Sequence, residues 1–185
     1  MPQTSPPRLR LLDATILIAA FALGTFAVWW TAPGLASILK QLQVSTAPSE
    51  RAYYVIHCIV LISCPYLGSA SLALLILRLR KPRPERRRCL RQPGMVASAA
   101  ATLALAIEAA RVIPLFALGS TSVRLSNLFI GPDQRICFAI LGAWTALKVG
   151  GIWRPEPGGI DRAGRVVGVA WIVVATLSSS RYYLI

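Results

Sequence analysis

Apolar positions gather into five stretches, at about 12–30, 52–78, 94–118, 136–153 and 165–184, and most polar and charged residues lie between them. A hydrocarbon core ~30 Å thick is crossed by about 20 helical residues, so runs of this length with few ionisable side chains predict transmembrane helices. The connectors are too short for a separate soluble domain. The expected fold class is therefore all-α, a single integral membrane domain over residues 1–185, a polytopic transmembrane helical bundle of five helices, or four if the last is interfacial. The interfacial alternative arises because the continuous apolar core of that last stretch runs only from Val166 to Leu177 and it reaches further only through Ser178-Ser-Ser-Arg-Tyr-Tyr-Leu-Ile185.

Finer patterning adds detail. Pro33-Gly34 interrupts the first helix, and Leu35, Ile38, Leu39 and Leu42 then repeat at helical spacing opposite Ser37, Lys40 and Gln41. This predicts a short amphipathic helix on the outer surface, or an extension of the first helix beyond the bilayer. In the second helix, Pro65 removes a backbone donor and predicts a kink near Ser63 to Pro65. In the third, Ala97, Ala101, Ala104, Glu108 and Arg111 fall on one seam, which should face other helices. Comparable small-residue lines are Ala20-x-x-x-Gly24 with Ala27, the row Ala139, Ala143, Ala146 and Gly150, and Gly164-x-x-x-Gly168. No internal repeat relates one half of the chain to the other, so the inverted-repeat signature of many transporters is absent.

Composition agrees with a membrane chain: 55% of residues are hydrophobic and only 15% charged, with a mean hydropathy of +0.59. The net charge of +13 would suggest nucleic acid if it covered a folded face with interleaved aromatics. Instead it concentrates in the loop 79–93 and its flanks, as Arg78-Leu-Arg-Lys-Pro-Arg-Pro-Glu-Arg-Arg-Arg-Cys-Leu-Arg91, and in alternate connectors, at Arg8, Arg10, Arg154, Arg162 and Arg165. The other connectors hold Lys40, Arg51, Arg124 and Arg135, with Arg181 at the far end of the last stretch. The positive-inside rule then places the N-terminus in the cytoplasm and the C-terminus outside, and no nucleic-acid partner is expected. Although Arg8 and Arg10 precede an apolar run as in a signal peptide, that run exceeds the usual 7–15 residues of such a segment and ends in Trp29-Trp30, an interfacial anchor. A retained first helix is expected.

Few residues offer chemistry. Glu108 and Arg111 lie within a membrane stretch, where a charge costs ~2.5–3.5 kcal/mol even on the lenient insertion scale, and their i,i+3 spacing lets them pair. They and His57, the only histidine, form the candidate intramembrane polar site: a proton or ion relay or head-group site on one reading, a structural pair on the other. A single histidine excludes a histidine metal cluster. Asp161 is placed to cap the last helix, Arg181 and Lys148 to snorkel, and Asp13 to pair with nearby arginines or cap the first helix. Cys58, Cys64, Cys89 and Cys137 have no CxxC spacing, so neither a disulfide framework nor a zinc site is expected; Cys89 is a free thiol or a palmitoylation site. No nucleophile elbow, zinc-protease, dinucleotide or P-loop pattern occurs, no catalytic residue or cofactor is indicated, and an enzymatic role is disfavoured. Arg80, Lys81, Arg83, Arg86, Arg87, Arg88 and Arg91 are candidate contacts for anionic lipid head groups, beyond their role in setting topology.

The segment Trp153-Arg-Pro-Glu-Pro-Gly-Gly-Ile-Asp-Arg-Ala-Gly-Arg-Val-Val-Gly168 resembles a stretch of small multi-pass membrane proteins predicted from planctomycete-type bacterial genomes. The resemblance implies a bacterial inner-membrane location and no particular activity. The sequence thus predicts a non-enzymatic packing or interaction module in contact with the lipid bilayer, alone, as a homo-oligomer or with a membrane protein partner. The alternative is a small transporter, channel or lipid-binding component that uses Glu108 and Arg111.

Overall fold

The computed structural model describes residues 11–79, 90–117, 132–156 and 159–183, and among them there is no strand. Six helices follow in order: α1 (Leu11–Trp30), α2 (Ala32–Val44), α3 (Pro48–Leu79), α4 (Pro93–Ala117), α5 (Pro132–Val149) and α6 (Gly159–Ser180), with a 3₁₀ turn at Arg181–Tyr183. Prolines mark the starts. Pro48, Pro93 and Pro132 each open a helix, where the missing N–H is not needed and the fixed φ is already helical. At the α1–α2 junction, Thr31 ends one helix and Pro33 sits in the first turn of the next. The expected amphipathic segment is α2, and Leu35, Ile38 and Leu42 form its half-buried side while Lys40 and Gln41 are exposed. Helix α3 runs on through Pro65, which is buried.

Four helices, α3 to α6, enclose the core. Val60 and Cys64 of α3, Ala97 and Ala101 of α4, Ile136 and Ile140 of α5, and Trp171 and Val174 of α6 form one buried cluster. Alanines on the α4 seam let the helices approach closely, which is how apolar helices gain packing energy where lipid is as apolar as leucine. Ala97, Ala101 and Glu108 of that seam are buried, and Ala104 packs against the cluster. On α6, Gly164 and Gly168 are buried as well: a Cβ on Gly164 would lie 2.5 Å from the Gly94 carbonyl oxygen, and one on Gly168 2.7 Å from the Trp144 ring. Helix α1 lies outside this core against α3. Gly24 fits beneath Tyr66, the Phe21 and Tyr66 rings are 5.5 Å apart, and Thr25 Oγ1 is 3.2 Å from the Tyr66 hydroxyl.

Helices α1, α3, α4 and α6 are long and apolar enough to cross a membrane. The last stretch is a continuous helix of 22 residues, about 33 Å long, with Trp171 fully buried at its centre. The span expected at 136–153 differs more: its helix begins earlier, on Pro132-Asp-Gln-Arg135, and ends at Val149, and it is not among the four. The row Ala139, Ala143, Ala146 and Gly150 was expected to face other helices, yet Ala146 and Gly150 are exposed and a Cβ on neighbouring Gly142 would meet nothing within 4 Å. Larger side chains at the same helical spacing, Ile136, Ile140 and Leu147, are buried instead, because they fill the space beside the thin alanine face of α4.

Candidate functional site

The buried charged residues occupy the two ends of the bundle. At one end α4 finishes and α5 begins, which puts Arg135, in the first turn of α5, beside the late turns of α4. The Glu108 carboxylate is held between two arginines: Arg111 Nη1 lies 3.3 Å from both of its oxygens, and Arg135 Nη1 donates to Oε1. The glutamate side chain is 9% exposed and each arginine 58%. The expected i,i+3 pair is present, with a third member that the sequence reading assigned to a connector. The trio carries a net positive charge, and the acidic member is the one withdrawn from solvent.

His57 does not join this trio. Its Nδ1 is 3.2 Å from Arg181 Nη1, and since a guanidinium only donates, the ring nitrogen is the acceptor. Arg181, expected to snorkel outward, is only 3% exposed, because the 3₁₀ turn after α6 brings it back against α3. Asp133, at the second position of α5, is 1% exposed. Gln134 Nε2 donates to Ser179 Oγ at 3.2 Å. This end is therefore a layer of charge and hydrogen bonding that spans α3, α4, α5 and α6. A groove of about 410 Å³ opens beside it, between α5 and α6, lined by Gln134, Cys137, Phe138, Thr176 and Ser179 among others.

At the opposite end Asp161 is the centre. Expected to cap its own helix, it instead reaches across to α4: Oδ1 accepts the Gly94 N–H at 2.9 Å, and Oδ2 accepts the Glu156 N–H at 3.2 Å and lies 3.4 Å from Arg165 Nε. The reason is the crossing of the two helix starts, where backbone lies on backbone at Gly94 and Gly164 and leaves the carboxylate no other direction. Around it, Arg78 pairs with Glu156 at 2.8 Å, Trp144 Nε1 donates to the Pro93 carbonyl at 2.9 Å, and the Arg154 N–H donates to the Arg91 carbonyl at 3.0 Å.

Of the candidate head-group contacts, Arg91 lies at this end, and Arg80, Lys81, Arg83, Arg86, Arg87 and Arg88 lie outside the described residues, as does Cys89. Cys58, Cys64 and Cys137 are free thiols, and among the described residues no three His, Cys, Asp or Glu side chains are grouped to hold a metal. No protein-family model, curated protein or solved structure matches the chain.

Asp133 was not singled out from the sequence, Arg135 was placed in a connector, and Arg181 was expected to snorkel, whereas all three belong to the Glu108 end of the bundle. The signal for the first two was Pro132-Asp133, a helix start that extends the apolar stretch backwards by one turn. For Arg181 the sequence holds no equivalent signal, since an arginine after an apolar run reads as interfacial whichever way the chain turns.

Proposed function

We propose that this chain is a non-enzymatic packing or interaction module of a bacterial inner membrane, with the N-terminus cytoplasmic and the C-terminus outside. In this reading α5 crosses the bilayer as a fifth span, its polar start at the outer interface, and the arginine-rich loop faces the cytoplasm beside anionic lipid or an acidic protein partner. The observation that carries it is the commitment of Glu108: its carboxylate is engaged by Arg111 and Arg135 on two different helices. A relay requires a carboxylate free to exchange partners along a path, and this one is 9% exposed and shared between two guanidiniums.

Reconstitution into vesicles tests the reading. Wild type and Glu108→Gln should dissipate an imposed proton or potassium gradient no faster than empty vesicles, and Glu108→Gln should differ from wild type in folded yield or thermal stability. A saturable flux in wild type that is lost in a folded Glu108→Gln protein would instead establish the transporter or channel alternative.

A further inference from the structure

Outside the core, one helix face presents charge and apolar surface in the order in which a phospholipid presents its head and chains. Along α6, Arg162, Arg165, Val166, Val169 and Val173 stand at positions i, i+3, i+4, i+7 and i+11 and so share a face. Arg162 is exposed, and Val166, Val169 and Val173 are 62%, 52% and 52% exposed. A shallow groove of about 350 Å³ is lined by Arg162, Arg165, Val166 and Val169. From Arg162 to Val173 the helix advances about 16 Å, close to half of a ~30 Å hydrocarbon core.

The positive charge on this face is available. Arg162 has no acidic partner among the described residues. Arg165 has Asp161 3.4 Å from its buried Nε, but that carboxylate already accepts the Gly94 and Glu156 N–H groups, and the Arg165 side chain is 37% exposed. The arginines at the other end differ, since Arg111 and Arg135 share Glu108. Among the described residues a second copy of this chain offers little countercharge, because Asp13, Glu50, Glu108, Asp133, Glu156 and Asp161 are each already engaged.

We infer that this face of α6 binds one anionic phospholipid, its phosphate between the Arg162 and Arg165 guanidiniums and an acyl chain along Val166, Val169 and Val173. Two guanidiniums one turn apart supply several N–H donors in fixed planes for phosphate oxygens, and the valines below them replace neighbouring lipid tails. The inference rests on the membrane reading given above and is independent of the role of Glu108.

Native mass spectrometry of the full chain in mild detergent, titrated separately with phosphatidylglycerol and phosphatidylcholine, tests it. Wild type should retain one phosphatidylglycerol in preference to phosphatidylcholine. Arg162→Gln with Arg165→Gln should weaken that binding on the order of thirty-fold, which corresponds to about 1 kcal/mol for each basic residue. Arg162→Gln alone, which leaves the Arg165–Asp161 pair intact, should weaken it about five-fold, and Lys40→Gln on α2 should leave it unchanged. Equal retention of both lipids, an unchanged affinity in Arg162→Gln, or a dimer in place of the lipid adduct would overturn the assignment. A chain that stays soluble and lipid-free after detergent removal would overturn the membrane reading itself. A flux lost in Glu108→Gln alongside intact lipid selectivity would overturn only the packing reading.

Discussion

Asp161 Oδ1 accepts the Gly94 N–H at 2.9 Å, so a carboxylate in the first turn of α6 caps the first turn of α4. Both residues are buried, and a helix N-terminus carries partial positive charge and unsatisfied donors, so one side chain meets two needs of a neighbouring helix. The same carboxylate holds the Glu156 N–H, and Glu156 in turn pairs with Arg78, which fastens the segment 150–156 to the end of α3.

Removing that carboxylate should destabilise the bundle. Asp161→Ala leaves the Gly94 and Glu156 donors without their acceptor, and a buried donor left unsatisfied costs about 1–3 kcal/mol. Asp161→Asn keeps one carbonyl acceptor and should cost less. Thermal unfolding in detergent should rank the proteins wild type, Asn, then Ala; equal midpoints would show that the cap contributes nothing.

Glycine substitutions should separate the packed from the open positions. A Cβ at Gly94 would fall 2.0 Å from the Asp161 carbonyl oxygen and one at Gly164 2.5 Å from the Gly94 carbonyl oxygen, and backbone atoms cannot move aside cheaply. Gly94→Ala and Gly164→Ala should each cost at least about 1–3 kcal/mol, the usual range for overpacking. Gly142→Ala meets nothing within 4 Å and should be neutral or slightly stabilising, since alanine favours helix. Folded yield and unfolding midpoint of the three variants check the contrast.

Trp171 provides a third test at the centre of the core. Its Nε1 donates to Ser71 Oγ at 3.2 Å, and that hydroxyl donates onward to the Leu67 carbonyl. Interhelical hydrogen bonds in membrane bundles average about 0.6 kcal/mol and reach about 1.7. Ser71→Ala, which keeps the packing nearly intact, should therefore cost about 1 kcal/mol, whereas Trp171→Ala should cost about 3–5 through the cavity it leaves. Similar losses for both would mean that the indole is held by its hydrogen bond and hardly by packing.

The thiols report burial directly. Cys64 is 1% exposed and Cys137 8%, whereas Cys58 is half-buried. A membrane-permeant maleimide should label Cys58 in the folded protein well before Cys64, with the remaining cysteines replaced by serine to isolate each signal. Fast labelling of Cys64 in folded protein would contradict a core built around it.

Much of the bundle was legible because spacing reports faces. The Ala97–Ala101–Glu108 seam and the Gly164–Gly168 pair were readable as contact surfaces, and α2 as an amphipathic helix, from intervals alone. What spacing does not report is the partner. The row on α5 has the same small residues as the α4 seam yet is half-buried at Ala139 and Ala143 and exposed at Ala146, because the buried face is taken by the larger side chains of Ile136 and Ile140. Asp161 was readable as a cap but not as the cap of another helix, since that depends on the crossing at Gly94 and Gly164. Arg135 was hidden by position: it precedes the apolar stretch and counts as a connector charge until Pro132 is recognised as the start of α5.

The central claim is that Glu108 serves to join α4 to α5, and a double-mutant cycle on Glu108→Gln and Arg135→Gln in detergent unfolding tests it most directly. Because both arginines are more than half exposed and rehydrate readily, each single change should cost about 1–2 kcal/mol, well below the 3–5 of a fully buried pair. The double variant should cost less than the sum of the two, with a coupling of at least about 0.5 kcal/mol. Additive losses, together with a folded Glu108→Gln protein as stable as wild type, would contradict the claim.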